Sequence, residues 1–363
     1  MKEKSYKIYL EVIRILACYM VVFNHTEENG FLLYMFQDSH KLIYWMYHFI
    51  SVFVKANVPL FVMVSGALLF NKEESAKDIY TKRIPRMLMI LIIFSFISHI
   101  ELLAIFSGEI WSKLSIKDFF LTIYTSYQYN WSYWYLYGYI AFLMVLPFLK
   151  LIARGLDKAL TRYLIILSLA ISIYPIFTYL ISEDKYIAYE ALIPTWIAET
   201  FIVYPLLGFY FDKKDDYTVK DIRVWLTLDV ITIMLASIAN WYRCSFKGEG
   251  YEGNLREIYM SSFTIINAIT IFICIKFFSN KVKNAQIKQI IVNIGRSTFG
   301  IYLLHVIIMR LPFMNWFWII RDELELNHMV MGMIYSLCVF IIGYVITAVA
   351  RKIITTIRSL IMC

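Results

Sequence analysis

The sequence predicts an all-α protein, a polytopic bundle of transmembrane helices with about ten spans. Hydrophobic residues make up 60% of the chain and charged residues only 17%, a balance that a single soluble core does not require. Apolar runs of about 20 residues, the length that a helix needs to cross a bilayer, recur with short polar loops between them. Lysine and arginine concentrate in alternate loops, as expected of a chain that crosses a membrane repeatedly.

The predicted spans follow one another along the whole chain. The segment 40–52 is expected to lead into the second span along the membrane interface. The spans cover residues 8–28, 52–71, 86–106, 134–153, 163–181, 192–211, 223–242, 258–278, 298–318 and 329–350.

The loop charges predict the orientation. With a cytoplasmic N-terminus, about two thirds of the 35 lysine and arginine residues fall on the cytoplasmic side, so both termini are placed there. The formal net charge of +8 is then explained by orientation and by anionic lipid, and it gives no support to nucleic-acid binding. The expected location is the plasma membrane, as a multi-pass protein.

A single membrane domain is predicted over residues 1–363, because no loop is long enough to bury a soluble core of its own. The first apolar run is too long for a signal peptide and lacks a cleavage site, so it is expected to remain as a span. The five cysteines contain no Cys-x-x-Cys pair, and neither a disulfide framework nor a metal site is predicted.

The first predicted span carries a polar stripe. Arg14 and His25 are eleven residues apart, which is about 1,100° of helix and roughly 20° from three full turns, so both face one side. Glu11 lies one turn before Arg14 and can pair with it. Ionisable groups inside a span are costly and usually mark a functional path. The stripe of Glu11, Arg14, Cys18 and His25 is therefore predicted to be functional.

His25 falls near the outer edge of the hydrocarbon layer, about 25 Å along the helix from its start. It could act as a general base on a hydroxyl that arrives from outside, with Glu27 or Glu28 orienting the ring. A histidine bonded to a backbone carbonyl at the interface is the structural alternative. The in-phase Arg14 favours the catalytic interpretation.

The predicted cytoplasmic side offers an anion site. The guanidinium of Arg14 presents a fork of donors suited to phosphate, and Arg83 and Arg86 could complete a site for a nucleotide-like acyl donor. Anchoring by positive residues explains Arg83 and Arg86 equally well. The Ser65 hydroxyl could face the polar stripe. Alternatively, Ser65 and Gly66 are small residues that permit a close contact between helices, and this packing role is favoured.

Aromatic residues are dense before the fourth span. Trp131, Tyr133 and Trp134 could stack on the apolar faces of an acceptor sugar, although such density is also typical of a membrane-interface belt. His305 lies about two turns into the ninth span. It suits a helix-to-helix hydrogen bond and a donor-site role about equally.

Four motifs, in order, resemble the acyltransferase 3 family of bacterial membrane enzymes that O-acetylate envelope polysaccharides. The basic pair Arg83 and Arg86 is also similar to that of the family, and the resemblance covers essentially the whole chain. Some members carry a fused extracytoplasmic hydrolase-like domain, which is not expected in these 363 residues, so a soluble partner enzyme could supply that step. The motifs are Arg14 with His25, the segment 58–66 (VPLFVMVSG), the segment 134–147 (WYLYGYIAFLMVLP) and the segment 297–305 (STFGIYLLH).

The resemblance implies an O-acyltransferase without a tightly bound cofactor. Acyl-CoA, most simply acetyl-CoA, would bind from the cytoplasm as co-substrate, and its acyl group would pass to a hydroxyl of an envelope polysaccharide or lipid-linked sugar. His25 would deprotonate that hydroxyl or carry the acyl group itself, and the sequence leaves both routes open. The implied donor contacts are Arg83, Arg86, Arg14, Ser65 and His305, with Glu11 fixing Arg14.

Two other functions compete with this interpretation. Intramembrane charges also mark transporters and flippases, but those usually show internal repeats and helices broken by glycine or proline. The chain shows no such repeat and has only 13 Gly and 7 Pro. A membrane-bound O-acyltransferase centred on His305 would leave Arg14 and His25 unexplained. Binding of acyl-CoA by the purified protein distinguishes an acyltransferase from a carrier.

Overall fold

A computed structural model describes residues 7–106, 115–125, 129–182, 194–246, 263–279 and 281–361. Within these ranges the chain forms helices and turns without a strand, which confirms the all-α prediction. The helices are α1 (Ile8–Asn24), α2 (Leu42–Val54), α3 (Asn57–Leu69), α4 (Ala76–Asp78), α5 (Ile84–Phe106), α6 (Ile116–Tyr124), α7 (Trp134–Arg154), α8 (Lys158–Ser182), α9 (Thr200–Lys213), α10 (Val219–Phe246), α11 (Thr264–Ser279), α12 (Ala285–Gly295), α13 (Thr298–Met309), α14 (Trp316–Glu323) and α15 (His328–Ile361).

In the described ranges, five helical stretches are long and apolar enough to cross a membrane, and a bent pair of helices makes a sixth. The predicted count of about ten spans is not confirmed. Helices α1, α9 and α11 are 17, 14 and 16 residues long, below the roughly 20 residues of a full crossing. The five stretches are Leu42–Leu69, Ala76–Ala104, Trp131–Arg154, Val219–Tyr242 and His328–Thr356, and the pair is Ala285–Gly295 with Thr298–Met309.

The predicted interfacial lead-in before the second span belongs to the span itself. Helices α2 and α3 together form one apolar stretch of 28 residues, and the chain breaks its helical course at Lys55 and Ala56. Lys55 therefore lies in the middle of a candidate crossing. Lys55 also falls inside the predicted second span, 52–71, but no role was predicted for it.

The predicted ninth span, 298–318, is not one continuous helix, because its first helix ends at Met309. Pro312 cannot continue a helix, and the chain passes into a 3₁₀ turn, Pro312–Asn315, before α14 begins. The candidate for a crossing in this region is instead the pair α12 and α13, which are long and apolar enough together and are bent by 53° relative to each other at Arg296 and Ser297.

Helix α1 lies at the centre of the bundle and packs against α2, α3, α11, α12, α13 and α15. Its start is tied to the end of α9, because the Lys7 ammonium bonds both carboxylate oxygens of Asp212 at 2.7 Å. Its end is closed by the Thr26 hydroxyl, which donates to the Phe23 carbonyl at 2.7 Å. His25 directly follows the last helical residue and is held at a fixed position by this turn.

Helices α3 and α9 touch backbone to backbone. A Cβ added to Gly66 would overlap the Pro205 carbonyl, and one added to Gly208 would overlap the Met63 carbonyl. The close helix contact predicted for Gly66 is thus observed. Ser65 turns its hydroxyl back to the Phe61 carbonyl at 3.0 Å and lines a cavity on another side of α3.

The outer surface of the bundle is apolar. Large side chains such as Phe148, Leu151 and Ile166 have 65–69% of their surface exposed, on helices α7 and α8. A soluble protein rarely leaves so many large apolar groups in contact with water. Lipid is the environment that this surface fits.

Candidate functional site

A basic cavity of about 860 Å³ opens beside the start of α5. It brings the predicted pair Arg83 and Arg86 together. The fork of Arg83 is bidentate on Glu74, with Nε to Oε2 at 2.8 Å and Nη2 to Oε1 at 2.5 Å, and this bond holds the pKa of Glu74 below its usual value. The charged residues around the cavity are Lys72, Glu74, Asp78, Lys82, Arg83 and Arg86.

A second, smaller cavity of about 250 Å³ adjoins the basic cavity and is called the Arg14 cavity. The Arg14 guanidinium on its wall is held by the Glu11 carboxylate, with Nη1 to oxygen distances of 3.1 and 3.2 Å. Glu11 is 6% exposed and is pressed against Gly295, where a Cβ would overlap its carboxylate. The predicted Glu11–Arg14 pair is therefore present. This cavity shares Met87, Tyr139 and Phe299 with the basic cavity.

The third cavity, the His25 cavity, has a volume of about 390 Å³. It shares the lining residues Val21, Val58, Tyr135 and Tyr302 with the Arg14 cavity, so the two cavities adjoin. Lys55, from the break between α2 and α3, lies on the same wall as His25, and its ammonium is 4.8 Å from the centroid of the Phe31 ring. The site thus contains a cation that the sequence analysis did not select.

The imidazole of His25 is oriented by a second histidine. His25 Nδ1 lies 2.6 Å from His305 Nε2, and His305 Nδ1 lies 2.5 Å from the Tyr302 carbonyl oxygen. A carbonyl only accepts, so His305 carries its hydrogen on Nδ1 and, as a neutral ring, accepts at Nε2. His25 must then donate from Nδ1, which leaves its Nε2 as a basic nitrogen.

Two predictions are decided by this contact. Glu27 and Glu28 were expected to orient the imidazole, but the ring nitrogen is bonded to His305 instead. For His305 a helix-to-helix hydrogen bond and a donor-site role were both open, and its fully buried side chain makes the hydrogen bond, to His25 at the end of α1. His305 contacts His25 and does not line the cavities described here.

A fourth cavity of about 300 Å³, the Trp318 cavity, meets His25 from the other side. It shares His25 and Trp131 with the His25 cavity, and the two rings lie with their centroids 4.1 Å apart. Glu27 and Glu28 lie on its wall. Arg310 lines it too and pairs with Glu101 at 3.2 Å.

The three aromatic residues predicted to bind the acceptor have different environments. Trp131 is 45% exposed and lines two cavities, and Trp134 is 44% exposed and lines the His25 cavity. Tyr133 is only 1% exposed, and its hydroxyl donates to the Leu303 carbonyl at 2.9 Å. Tyr133 therefore packs α7 against α13 and is not available to an acceptor.

Comparison with known proteins identifies the family of the chain. Residues 7–352 match the acyltransferase 3 family model, which describes an acyltransferase domain. No curated protein and no solved structure matches the chain significantly. Together with the apolar membrane-length helices, the match shows a multi-pass membrane protein. The chain belongs to the acyltransferase 3 family and is a membrane acyltransferase.

Proposed function

We propose that the protein transfers an acyl group, most simply acetyl, from acyl-CoA to a hydroxyl of an envelope glycan in the plasma membrane. The observation that carries this proposal is the row of adjoining cavities that leads from Arg83 and Arg86 past Arg14 to His25. One end offers charge for phosphates, and the other offers a basic nitrogen for the chemistry.

The basic cavity suits the phosphates of the donor, because arginine forks bind phosphate oxygens in pairs. Glu74 occupies the fork of Arg83, so a donor phosphate competes with this carboxylate. The pantetheine arm would continue through the Arg14 cavity, where Ser65, Tyr135 and Tyr139 offer polar groups to its amides. The thioester would then reach the His25 cavity.

His25 is the proposed base. Its Nε2 takes the proton of the acceptor hydroxyl while the hydroxyl oxygen attacks the thioester carbonyl. The resulting imidazolium keeps its Nδ1 hydrogen bond to His305, which stabilises it. Collapse of the tetrahedral intermediate breaks the carbon–sulfur bond, and the thiolate takes the proton from Nε2. The products are the ester and free CoA.

A route through an acyl-imidazole uses the same nitrogen. His25 Nε2 would attack the thioester carbonyl first, and the carbon–sulfur bond would break to release CoA as its thiolate. The acceptor oxygen would then attack the acyl-imidazolium, the carbon–nitrogen bond would break, and the hydroxyl proton would pass to Nε2 and from there to the solvent. Acyl label that stays on the protein when the acceptor is left out identifies this second route.

Lys55 supplies positive charge where the reaction develops negative charge. Its side chain lines the cavity that holds His25. A fixed cation in a site with little water stabilises the oxyanion of the tetrahedral intermediate, and loss of such a group typically lowers kcat by about 100- to 1,000-fold. We therefore expect Lys55→Met to lower kcat in this range while exposed Lys41→Met, its control, retains wild-type activity.

The experiment measures transfer of label from [¹⁴C]acetyl-CoA to envelope glycans by the purified full-length protein. Loss of a general base typically lowers the reaction rate by roughly 100- to 10,000-fold, so the rate of label transfer by His25→Ala should fall by this factor. His328→Ala removes an exposed histidine at the start of α15 and should transfer normally. Equal transfer by wild type and His25→Ala would overturn the proposal, as would glycan movement across the membrane without binding of acyl-CoA.

A further inference from the structure

The first turn of α3 lies on the wall of the His25 cavity. The chain breaks its helical course between α2 and α3, and α3 begins at Asn57. Lys55, Asn57 and Val58 all line the cavity that contains His25. Because the N-terminal end of a helix carries partial positive charge, this wall is polarised by the backbone as well as by the ammonium of Lys55.

The side-chain amide of Asn57 has a fixed direction. An oxygen of this amide, Oδ1, accepts the backbone N–H of Val58 at 2.6 Å. A backbone N–H only donates, so the amide oxygen must face it, and the NH₂ group is turned the other way. The same bond satisfies one of the N–H groups that a helix leaves unpaired in its first turn.

The NH₂ group of Asn57 has no hydrogen-bond partner among the described residues, although Asn57 is only 7% exposed. Its nitrogen is not one of the fully enclosed, unpaired atoms found in the described part of the chain, so it reaches open space. The open space that Asn57 lines is the His25 cavity. An amide donor held in a buried site without a partner is unfavourable, so this group is suited to an acceptor atom of a bound substrate.

Acyl transfer places such an acceptor atom beside His25. When a nucleophile bonds to the thioester carbonyl carbon, the electron pair of the C=O bond moves onto the oxygen, which becomes an oxyanion. Asparagine amides are among the groups that stabilise oxyanions in acyl transfer, because they are neutral donors that need no reorganisation during the reaction. Direct transfer and the acyl-imidazole route both form this oxyanion, so the donor serves either route.

We propose that Asn57 is a catalytic residue whose NH₂ group donates a hydrogen bond to the thioester carbonyl oxygen and, more strongly, to the oxyanion. This inference rests on the proposed acyl transfer and adds a neutral donor to the charge of Lys55 at the same wall. As the carbon–sulfur bond breaks and CoA leaves as its thiolate, the electron pair returns from the oxygen and the carbonyl reforms. Asn57 gains and loses no proton.

The test separates the donor of Asn57 from its bond to Val58. Asn57→Asp keeps an oxygen for the Val58 N–H but has no donor when ionised, and Asn57→Ala removes both groups without adding charge. Purified full-length protein is supplied with radiolabelled acetyl-CoA and envelope glycans, and kcat and KM for acetyl-CoA are measured. Loss of one oxyanion donor should lower kcat by about 100- to 1,000-fold in both variants. Because the interaction strengthens only in the transition state, KM should stay within about threefold of the wild type.

Asn284→Asp provides the matched control. The Asn284 Oδ1 also accepts a backbone N–H at the start of a helix, that of Gln286 at 2.8 Å, but Asn284 is exposed and lines none of the four cavities. This variant should keep the wild-type kcat.

The two Asn57 variants together decide the role. A wild-type kcat in Asn57→Asp with a loss in Asn57→Ala would assign Asn57 to the helix start alone, and the reverse pattern would assign the loss to added charge. Either result overturns the inference while leaving acyl transfer intact, as would normal kcat in both variants. If thermal unfolding shows that Asn57→Ala does not fold, Asn57→Asp decides by its kcat. If the wild type transfers no label, the proposed function itself fails and this inference fails with it.

Discussion

His305 contributes one acceptor nitrogen to the site, and its effect should be separable from substrate binding. His305→Phe fills the space but cannot accept the hydrogen of His25 Nδ1, so the imidazole loses its orientation. By analogy with other base-orienting groups, we expect kcat to fall by about 10- to 1,000-fold with little change in KM for acyl-CoA. His305→Asn, whose amide oxygen can accept, should recover part of the loss. Steady-state kinetics in detergent measures both constants, and a rise in KM alone would contradict a positioning role.

Side chains close in sequence were predictable, and those joined by the fold were not. Glu11 and Arg14 are one helical turn apart, so the helical period alone places them together. His25 and His305 are 280 residues apart, and nothing local links them. Of the two contacts that His305 makes, only the one to the Tyr302 carbonyl could be predicted from the sequence, since Tyr302 and His305 are three residues apart on one helix. The burial of Tyr133 likewise depends on the packing of α7 against α13.

The contact between α3 and α9 depends on the absence of side chains. Gly66→Ala should lower the free energy of unfolding by roughly 1–3 kcal/mol or more, because a Cβ would overlap the Pro205 carbonyl and backbone atoms cannot move aside cheaply. Gly155→Ala is the control, since its Cβ would lie 3.5 Å from the Ile152 carbonyl and its φ of −86° suits any residue. Thermal unfolding in detergent measures both, and equal midpoints would refute the close contact.

Hydropathy predicts which segments are apolar, but it does not predict where each helix ends or bends. The predicted span 298–318 is mostly apolar, yet its first helix ends at Met309, and the candidate crossing includes α12 before it. Hydropathy averages over a window and does not register a bend of 53° between two short helices. The same averaging divided the continuous apolar stretch Leu42–Leu69 into an interfacial segment and a span.

The orientation of the bundle follows from its charge distribution and can be measured directly. Lys41 and Lys77 are both exposed, on the predicted outer and cytoplasmic sides. In intact cells a membrane-impermeant maleimide should label the Lys41→Cys variant, and it should label the Lys77→Cys variant only after lysis. The unsubstituted protein gives the background from the five native cysteines. The opposite pattern would invert the topology and place the basic cavity outside.

A row of polar cavities through a membrane protein poses a problem of permeability. Water that filled all four cavities at once would connect the two aqueous phases and let protons or small ions leak down the membrane potential. The His25 and Trp131 rings, which divide the last two cavities, interrupt such a column. His25, the proposed base, and Trp131 would therefore also keep the two aqueous phases separate, so we expect a small substitution of Trp131 to increase proton leakage across the membrane.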